Sequence, residues 1–437
     1  MTDAEAPSPT LPRAGIGETL AFLARVAGPL IGKGVIARRP RAVALAARLD
    51  LDARAVRFLA GMRARHGDGP VLLNLGVRRQ AVVLSADHAL RVLAETPVPF
   101  SAAPPEKRAA LRHFEPHGVL ITPPAHRGTR RAVNDAALDS ASPHHRLAGD
   151  FARVTCEEMT ALPDGTLDWN AFAVAWWRAV RRVVLGDGAA DDSRLTDDLA
   201  RLRGRANWAF LAPRRRRARA RFASAVAAHV ARAETGSLAA ALAAVPAPPD
   251  ANPAGQVPQW LFAYDAMGRT VFRALALLAG DPERRATAEA EADAPAWARP
   301  FLRACLLDTL RLWPTTPAIL RRTTADTDWD GATMPAGTGV LIFAPFLHRD
   351  PERVPQADRF APEAWMEREP PEPGFVPFSA GPAGCPGRNV SLLVGSAAVA
   401  ALLPRVASYG GPTVTPDRTL PGTFNAFALR FLLRGAG

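Results

Sequence analysis

The residue best placed to do chemistry is Cys385, which lies in a glycine- and proline-rich run at residues 378–388. Its glycines permit positive φ angles and close approach of a flat ligand, and its two prolines stiffen the turns. The apolar stretch 390–403 predicts a helix directly afterwards. Unpaired N–H groups and the dipole at a helix start stabilise a thiolate. The pattern favours a metal-binding thiolate, and an inert buried cysteine is the alternative.

Charged residues elsewhere are spaced to bind anions or to pair with one another. His126 and Arg130 stand four apart on a helix predicted to start after residues 122–124, where proline marks the start. Each can donate to a carboxylate, and each is equally well explained as an exposed cation. Asp308 and Arg311 share one helix face just before a proline, which favours a buried structural pair.

The loop resembles the haem-binding signature of the cytochrome P450 family, in which an aromatic residue, two glycines and the cysteine have fixed spacing. The matching residues are Phe378, Gly381, Cys385 and Gly387. The resemblance runs from about residue 50 to the C-terminus and implies haem b, with Cys385 as the iron ligand. Two positions depart from the family: Ser379 replaces the usual glycine, and Ala383 replaces an arginine or histidine that pairs with a haem propionate.

Further positions resemble supporting motifs of the same family. His126 and Arg130 resemble a pair that binds the propionates, and Arg321 resembles a third propionate partner. The Asp308 pair resembles the family's Glu-x-x-Arg motif with a shorter acid, and Ala364 occupies the place of an arginine that often completes that network.

The helix predicted at residues 257–279 resembles the oxygen-activation helix, and its acid–alcohol pair falls at Asp265 and Ala266. The alcohol, which helps to deliver protons in family members, is therefore missing. Asp265 could deliver protons with water or a substrate hydroxyl, hydrogen peroxide could replace dioxygen, or Thr270 could take part. Asp265 could instead simply pair with Arg269 at the i, i+4 spacing.

Segments that resemble the family's substrate pocket are mainly apolar and suit a medium-sized hydrophobic ligand. They include residues 100–121 and the turn at 208–211. The individual residues predicted to line the pocket are Phe262, Ala263, Ala318, Ile319 and Phe424.

Composition narrows the class of protein and its surroundings. The 437 residues carry a net charge of +12, almost wholly from arginine, because Lys33 and Lys107 are the only lysines. A basic surface suits an acidic electron donor, and the arginine cluster at 214–221 lacks a nucleic-acid-binding module. Three widely spaced cysteines indicate neither a disulfide framework nor a zinc or iron–sulfur site. Without a secretory signal or membrane span, we expect a soluble cytoplasmic protein.

Helical periodicity dominates, and short β-like runs lie between the helices. We predict a mostly α fold with a small β part (α+β), the cytochrome P450 fold in a single large domain at residues 51–437. Residues 1–50 are predicted to be an extension that packs on this domain or is partly flexible. The main predicted elements are helices at 51–65, 86–95, 146–162, 171–185, 193–210, 215–234, 257–279, 297–313 and 391–403, a hairpin at 71–84 and a strand at 340–343.

The leading hypothesis is a bacterial haem-thiolate monooxygenase of secondary metabolism, acting on a hydrophobic small molecule. It would use dioxygen and electrons from a separate ferredoxin and ferredoxin reductase, since the haem domain accounts for nearly the whole chain. Because of Ala266, an alternative is a peroxide-using enzyme or one that performs coupling, rearrangement or nitrogen transfer. A second alternative is a non-catalytic haem-thiolate protein that binds a ligand.

Overall fold

The computed structural model describes residues 11–76, 78–415 and 418–435, and within them helices predominate. The helices are α1 (Ile16–Phe22), α2 (Gly28–Lys33), α3 (Pro40–Arg48), α4 (Leu51–His66), α5 (Ala86–Ala94), α6 (Pro105–Leu111), α7 (Pro124–Ala137), α8 (Ala148–Thr160), α9 (Trp169–Leu185), α10 (Ser193–Ala206), α11 (Arg216–Arg232), α12 (Leu238–Ala243), α13 (Val257–Ala279), α14 (Pro282–Ala290), α15 (Pro300–Leu312), α16 (Ala344–His348), α17 (Glu363–Glu367) and α18 (Arg388–Leu402).

The strands form one sheet of five, one of three and one of two. They are β1 (Val71–Asn74), β2 (Arg79–Val83), β3 (Phe100–Ser101), β4 (Gly165–Asp168), β5 (Ala318–Thr323), β6 (Thr327–Trp329), β7 (Ala332–Met334), β8 (Gly339–Phe343), β9 (Val406–Gly410) and β10 (Arg430–Leu433). The largest sheet has the order β1-β2-β8-β5-β3, and the second has the order β4-β10-β9. In the largest sheet β8 lies parallel to β2 and antiparallel to β5, so segments far apart in sequence meet there.

The long helix α13 runs through the centre of the helical core and packs on α9, α15 and α18. Gly395 on α18 permits this close packing, because a Cβ there would lie 2.8 Å from the sulfur of Met267. Trp176 on α9 donates from its indole Nε1 to the carbonyl of Tyr264 at 2.9 Å. These contacts fix the position of α13 relative to the helix that follows Cys385.

The N-terminal segment at residues 11–50 packs against the main domain. Leu72 on β1 and residues 12–14 exchange two backbone hydrogen bonds of 2.9 Å, and Phe22 and Val26 are buried in the core beneath the largest sheet. The amide of Asn207 bonds the backbone of Ile36 and Ala37. These contacts hold residues 11–50 on the rest of the fold; residues 1–10, which belong to the predicted extension, lie outside the described residues.

Arginine side chains repeatedly hold loops together through backbone carbonyl groups. Arg405 donates to three carbonyls at residues 159–162, and Arg349 donates to the carbonyls of Leu420 and Pro421. The five donors of a guanidinium allow one side chain to satisfy several carbonyls at once. Arginine therefore has a structural role in this fold in addition to its charge.

The predicted fold class is confirmed, and most predicted helix ends lie within three residues of those observed. The predicted helix at 193–210 was too long, because α10 ends at Ala206. Its continuation is prevented by Asn207, whose side chain turns to the backbone of residues 36–37. The apolar periodicity of the sequence gives no information about this contact between residues far apart in the chain.

Candidate functional site

The cysteine loop is a tight turn that presents Cys385 immediately before α18. Gly381 has a φ of 64°, and a Cβ there would lie 2.2 Å from the carbonyl oxygen of Leu93, so glycine is required. The amide of Cys385 donates to the carbonyl of Phe378 at 3.0 Å. Burial raises the pKa of the Cys385 thiol, whereas the N–H of Gly387 and the charge of Arg131 lower it. The backbone therefore already aims a donor at the sulfur.

Side chains from α7 and the segment after it fasten the loop from outside. Arg131 donates to the carbonyl of Gly384 at 2.6 Å, and the hydroxyl of Ser140 donates to the carbonyl of Pro386 at 2.8 Å. These bonds satisfy loop carbonyls that flank the cysteine on both sides. The position of the sulfur thus depends on α7 as well as on the loop.

Cys385 lies near the central helix α13. The residue lies deep in the fold, yet it remains partly accessible, as do Phe262, Ala263 and Ala266 on the mostly buried α13. The spacing of these three positions places them on one helix face. Cys385 also raises the pKa of Tyr264 beyond the effect of burial, which shows that the thiol lies close to this helix.

Three cations surround the same interior region. Arg321 is 3% exposed and donates to the hydroxyl of Thr96 at 3.0 Å and to that of Ser379 in the loop at 3.4 Å. Burial lowers the pKa of Arg321 to about 10, with a further contribution from the nearby charge of Arg127. Burial, then the charges of Arg321 and Arg127, lower the pKa of Lys107 to about 7. Cations this close repel one another and favour an anionic ligand.

His126 and Arg130, the predicted propionate pair, lie elsewhere on α7. His126 is exposed and its Nδ1 lies 3.2 Å from Asp250, and Arg130 donates to the carbonyl of His117 and to Thr122. The structure brings Arg321 near Arg127 instead, one residue along the helix. The family motif gave no indication of this role for Arg127.

Asp265 on α13 is held by two arginines. Both Arg203 on α10 and Arg269 contact its Oδ2 atom. Although burial acts to raise the pKa of Asp265, the two guanidinium groups outweigh it and hold the pKa well below the ordinary value. The Arg269 pairing considered from sequence is present, and Arg203 was missed because it lies 62 residues away. The hydroxyl of Thr270 donates to the carbonyl of Ala266 at 3.1 Å.

A buried carboxyl that sequence reasoning missed lies on the segment before α7. Glu115 is 0% exposed, and the side-chain amide of Gln259 on α13 lies 2.7 Å from it. Burial raises the pKa of Glu115 well above the ordinary value, although the charges of Lys107 and Arg203 oppose this effect. This buried carboxyl–amide pair adds a polar element beside the apolar face of α13.

The Asp308–Arg311 pair is a buried network behind the loop. Asp308, 1% exposed, accepts from Arg311, from the amide of Ala361 at 2.8 Å and from the indole of Trp365 at 3.0 Å. Trp365 thus provides a donor next to Ala364, where the family often has an arginine. Arg311 also donates to the carbonyl of Ala357 at 2.8 Å. This geometry agrees with the predicted structural role.

His348 joins this network to the start of the cysteine loop. Its Nε2 accepts from the amide of Val376 at 2.9 Å, and its Nδ1 lies 3.2 Å from the carbonyl of Arg311. This network requires neutral imidazole with the proton on Nδ1. Burial, then the charge of Arg311, lower the pKa of His348 to about 3.

We expect stability to fall as the pH is lowered from about 6.5 to about 3. In this window the unfolded state binds a proton at His348 that the folded state excludes, and the loss reaches about 1.4 kcal/mol per pH unit. Urea unfolding across this range should show a shallower pH slope for His348→Gln than for the unmodified protein. Equal slopes would show that other groups control acid sensitivity.

Ser379, which stands where the family usually has glycine, adopts a backbone conformation that is strained for serine. Its φ is 60°, in the left-handed region that glycine adopts without strain. We expect Ser379→Gly to stabilise the protein by about 1 kcal/mol, measured by denaturant unfolding. Ser379→Ala should not stabilise it, because alanine keeps the strain and loses the contact with Arg321. Equal stabilisation by both variants would contradict a backbone origin.

The predicted pocket residues separate into two groups. Ala318 on β5 is partly accessible, as are Phe262 and Ala263, whereas Ile319 is buried in the core beneath the largest sheet. Phe424 is buried and stacks on Trp313 with ring centroids 4.7 Å apart. The predicted contact turn is exposed on the surface; its large residues are Trp208, Phe210 and Leu211. This turn therefore does not line an interior pocket in the structure.

The donor set fits a planar dicarboxylate group bound through a metal to a thiolate. A partly accessible cysteine lies near α13, and the structure also brings three cations close to one another, namely Lys107, Arg127 and Arg321. Haem combines these requirements, since it has an iron for a thiolate and two propionates for cations. The residues present therefore fit a haem held by a thiolate.

Comparison with known proteins agrees with this interpretation. Residues 264–406 match the family model described as Cytochrome P450, a range that includes Asp265, Arg311 and Cys385. The chain is similar to the cytochrome P450 family over about a third of its length. Among the described residues, no helix is both long enough and apolar enough to span a membrane.

Individual relatives are similar to this chain only over short alignments. A probable cytochrome P450 4s3 of Drosophila melanogaster is 30% identical over 32% of this chain and 30% of its own length. Cyclooctat-9-en-7-ol 5-monooxygenase of Streptomyces melanosporofaciens is 35% identical over 24% of each chain. Indolin-2-one monooxygenase of Zea mays is 38% identical over 21% of this chain and 18% of its own. Each alignment spans less than a third of the relative.

Proposed function

We propose that this chain is a haem-thiolate monooxygenase that oxidises a hydrophobic small molecule, with haem b as cofactor and Cys385 as iron ligand. The observation that carries the proposal is the partly accessible Cys385, whose sulfur receives the Gly387 N–H and lies near α13. Bound haem supplies oxygen chemistry that amino-acid side chains cannot perform.

The chain's own residues would hold, orient and enclose the cofactor and substrate. Arg127, Arg321 and Lys107 would neutralise the propionates. His126 and Arg130 would join them only by leaving their present partners. Phe262, Ala263 and Ala318 would form apolar walls for the substrate, while Phe378, Gly381 and Gly387 shape the loop around the sulfur.

Electrons would come from a ferredoxin and its reductase, as separate proteins. The net charge of +12 supports an acidic donor, because opposite charges speed association and set its orientation. The remaining parts of the proposal are a bacterial origin, a role in secondary metabolism and a cytoplasmic location.

The test is the absorption spectrum of the purified protein after reduction and exposure to carbon monoxide. A thiolate-ligated haem gives a strongly red-shifted Soret band, which we expect here. A band at the position of histidine-ligated haem would contradict the assignment of Cys385, and a protein that binds no haem would contradict the proposal as a whole.

The surroundings of Asp265 favour a second candidate, a peroxide-using enzyme. Two arginines keep this carboxyl ionised, and Ala266 has no hydroxyl, so the helix offers a poor proton relay. Hydrogen peroxide brings its own protons and needs less help. Product formation with peroxide should be compared with product formation with ferredoxin, reductase and dioxygen; no product at any peroxide concentration would exclude this candidate.

A further inference from the structure

We propose that a small cavity behind the predicted substrate pocket binds an anionic group, a carboxylate or a phosphate. The cavity has a volume of about 50 Å³ and lies where residues 33–52 meet α13 and the turn after α15. Its polar lining consists mainly of cations: Lys33, Arg38, Arg269 and Arg273. One carboxylate, that of Asp52, is also in the wall.

The two acids near the cavity are already engaged. Asp52 pairs with Lys33, and Asp265, which lies behind the wall, pairs with Arg269 and with Arg203. Neither of these two acids forms a salt bridge with the guanidinium group of Arg38 or of Arg273.

Arg38 and Arg273 are held in place by backbone carbonyls, not by acids. Arg38 donates to the carbonyls of Gly34 and Thr315 at 2.6 and 2.8 Å, and Arg273 donates to that of Phe424 at 2.8 Å. The Nε atom of Arg273 is buried and has no hydrogen-bond partner among the described residues. The two guanidinium groups are therefore held in place before any anion binds, and the N–H at Arg273 Nε is an unused donor.

Holding these cations together without an anion is costly. Burial, followed by repulsion from Arg269, lowers the pKa of Arg38 to about 10 and that of Arg273 to about 9. Buried charges are normally paired, and a guanidinium binds carboxylates and phosphates through its planar fork. An anion in the cavity would relieve the repulsion between the guanidinium groups.

The volume suits a head group and not a whole ligand. A cavity needs about 10–15 Å³ to hold one water molecule, so 50 Å³ has room for a small oxoanion. Pro317 and Phe424 form part of the wall, and Pro317 directly precedes Ala318 of the predicted pocket. The anion can therefore be the acidic group of a substrate or a free ion. The first of these assignments rests on the proposed function.

The first experiment measures anion binding to the purified haem-containing protein without any turnover. Sodium acetate and sodium phosphate should raise the thermal midpoint above that in sodium chloride of equal ionic strength. Arg273→Gln and Arg38→Gln should each weaken acetate and phosphate binding about tenfold or more, and Arg273→Lys should restore part of it. Arg299→Gln is the matched control, because Arg299 is also buried and carbonyl-bonded but does not line the cavity.

The second experiment separates the two sources of the anion. If the anion belongs to a substrate, decanoate should bind at least about tenfold more tightly than acetate and should perturb the haem spectrum, and methyl decanoate should not bind as tightly. If it is a free ion, acetate and phosphate should bind as tightly as decanoate without a spectral change. No anion-specific stabilisation, or equal losses in Arg273→Gln and Arg299→Gln, would overturn the site. A failed carbon monoxide test would overturn the monooxygenase proposal and leave these measurements valid.

Discussion

Cys385→Ala is expected to lose the red-shifted Soret band of the reduced, carbon monoxide-treated protein completely, together with any oxidation activity. The thiolate is the group that produces this band, and alanine offers no ligand in its place. The neighbouring backbone contacts do not need the sulfur, since the residue 385 amide bonds to Phe378 through the main chain. We therefore expect the apoprotein to remain folded by circular dichroism.

The other two cysteines supply matched controls for this experiment. Cys156 lies on α8 with its sulfur 3.7 Å from the carbonyl of Ala397, and Cys305 is buried on α15. Both lie within helices and outside the glycine-rich loop that presents Cys385, so neither is placed to bind the haem iron. Cys156→Ala and Cys305→Ala should keep the band. Its survival in Cys385→Ala, or its loss in a control that stays folded, would contradict the ligand assignment.

Arg311→Met is expected to destabilise the protein by about 3–5 kcal/mol and to weaken haem retention. Removing one member of a buried ion pair leaves the other charge without compensation, in this case the carboxylate of Asp308. The backbone carbonyls that Arg311 satisfies would also lose their donor. Denaturant unfolding gives the loss in stability, and haem absorbance after gel filtration gives retention.

A matched surface pair defines the baseline for that measurement. Arg153 and Glu157 form an exposed i, i+4 pair on α8, and Arg153→Met should cost no more than about 1 kcal/mol. Restoring the family's longer acid with Asp308→Glu should also destabilise, by about 1–3 kcal/mol, because the site around Asp308 is filled by Trp365 and the Ala361 amide. Stabilisation by Asp308→Glu would show that the network is strained in its present form.

The sequence allowed prediction of features that depend on local pattern. Apolar periodicity located the central helix and the β1–β2 hairpin, and the glycine spacing around Cys385 identified the loop. These signals lie within one segment and need no knowledge of distant contacts.

Features created by distant contacts could not be predicted. The Arg203–Asp265 pair, the Trp365 donor and the Glu115–Gln259 pair all join separate elements through side-chain atoms. The family motif selected His126 and Arg130, and it gave no indication that Arg131 on the same helix bonds the loop or that Arg127 lies near Arg321. Motif spacing gives the helix, but packing decides which side of it faces inward.

The fold's reliance on arginine leaves the protein almost without reactive primary amines on its side chains. Lys33 is buried against Asp52, and Lys107 donates inside the fold to the carbonyl of Ala102 at 2.9 Å. Reagents that join lysine amines to carboxylates will therefore find few targets on this basic surface. Covalent capture of an acidic electron donor requires an introduced lysine or cysteine, and acetylation of lysine has little opportunity to alter the charge of the surface.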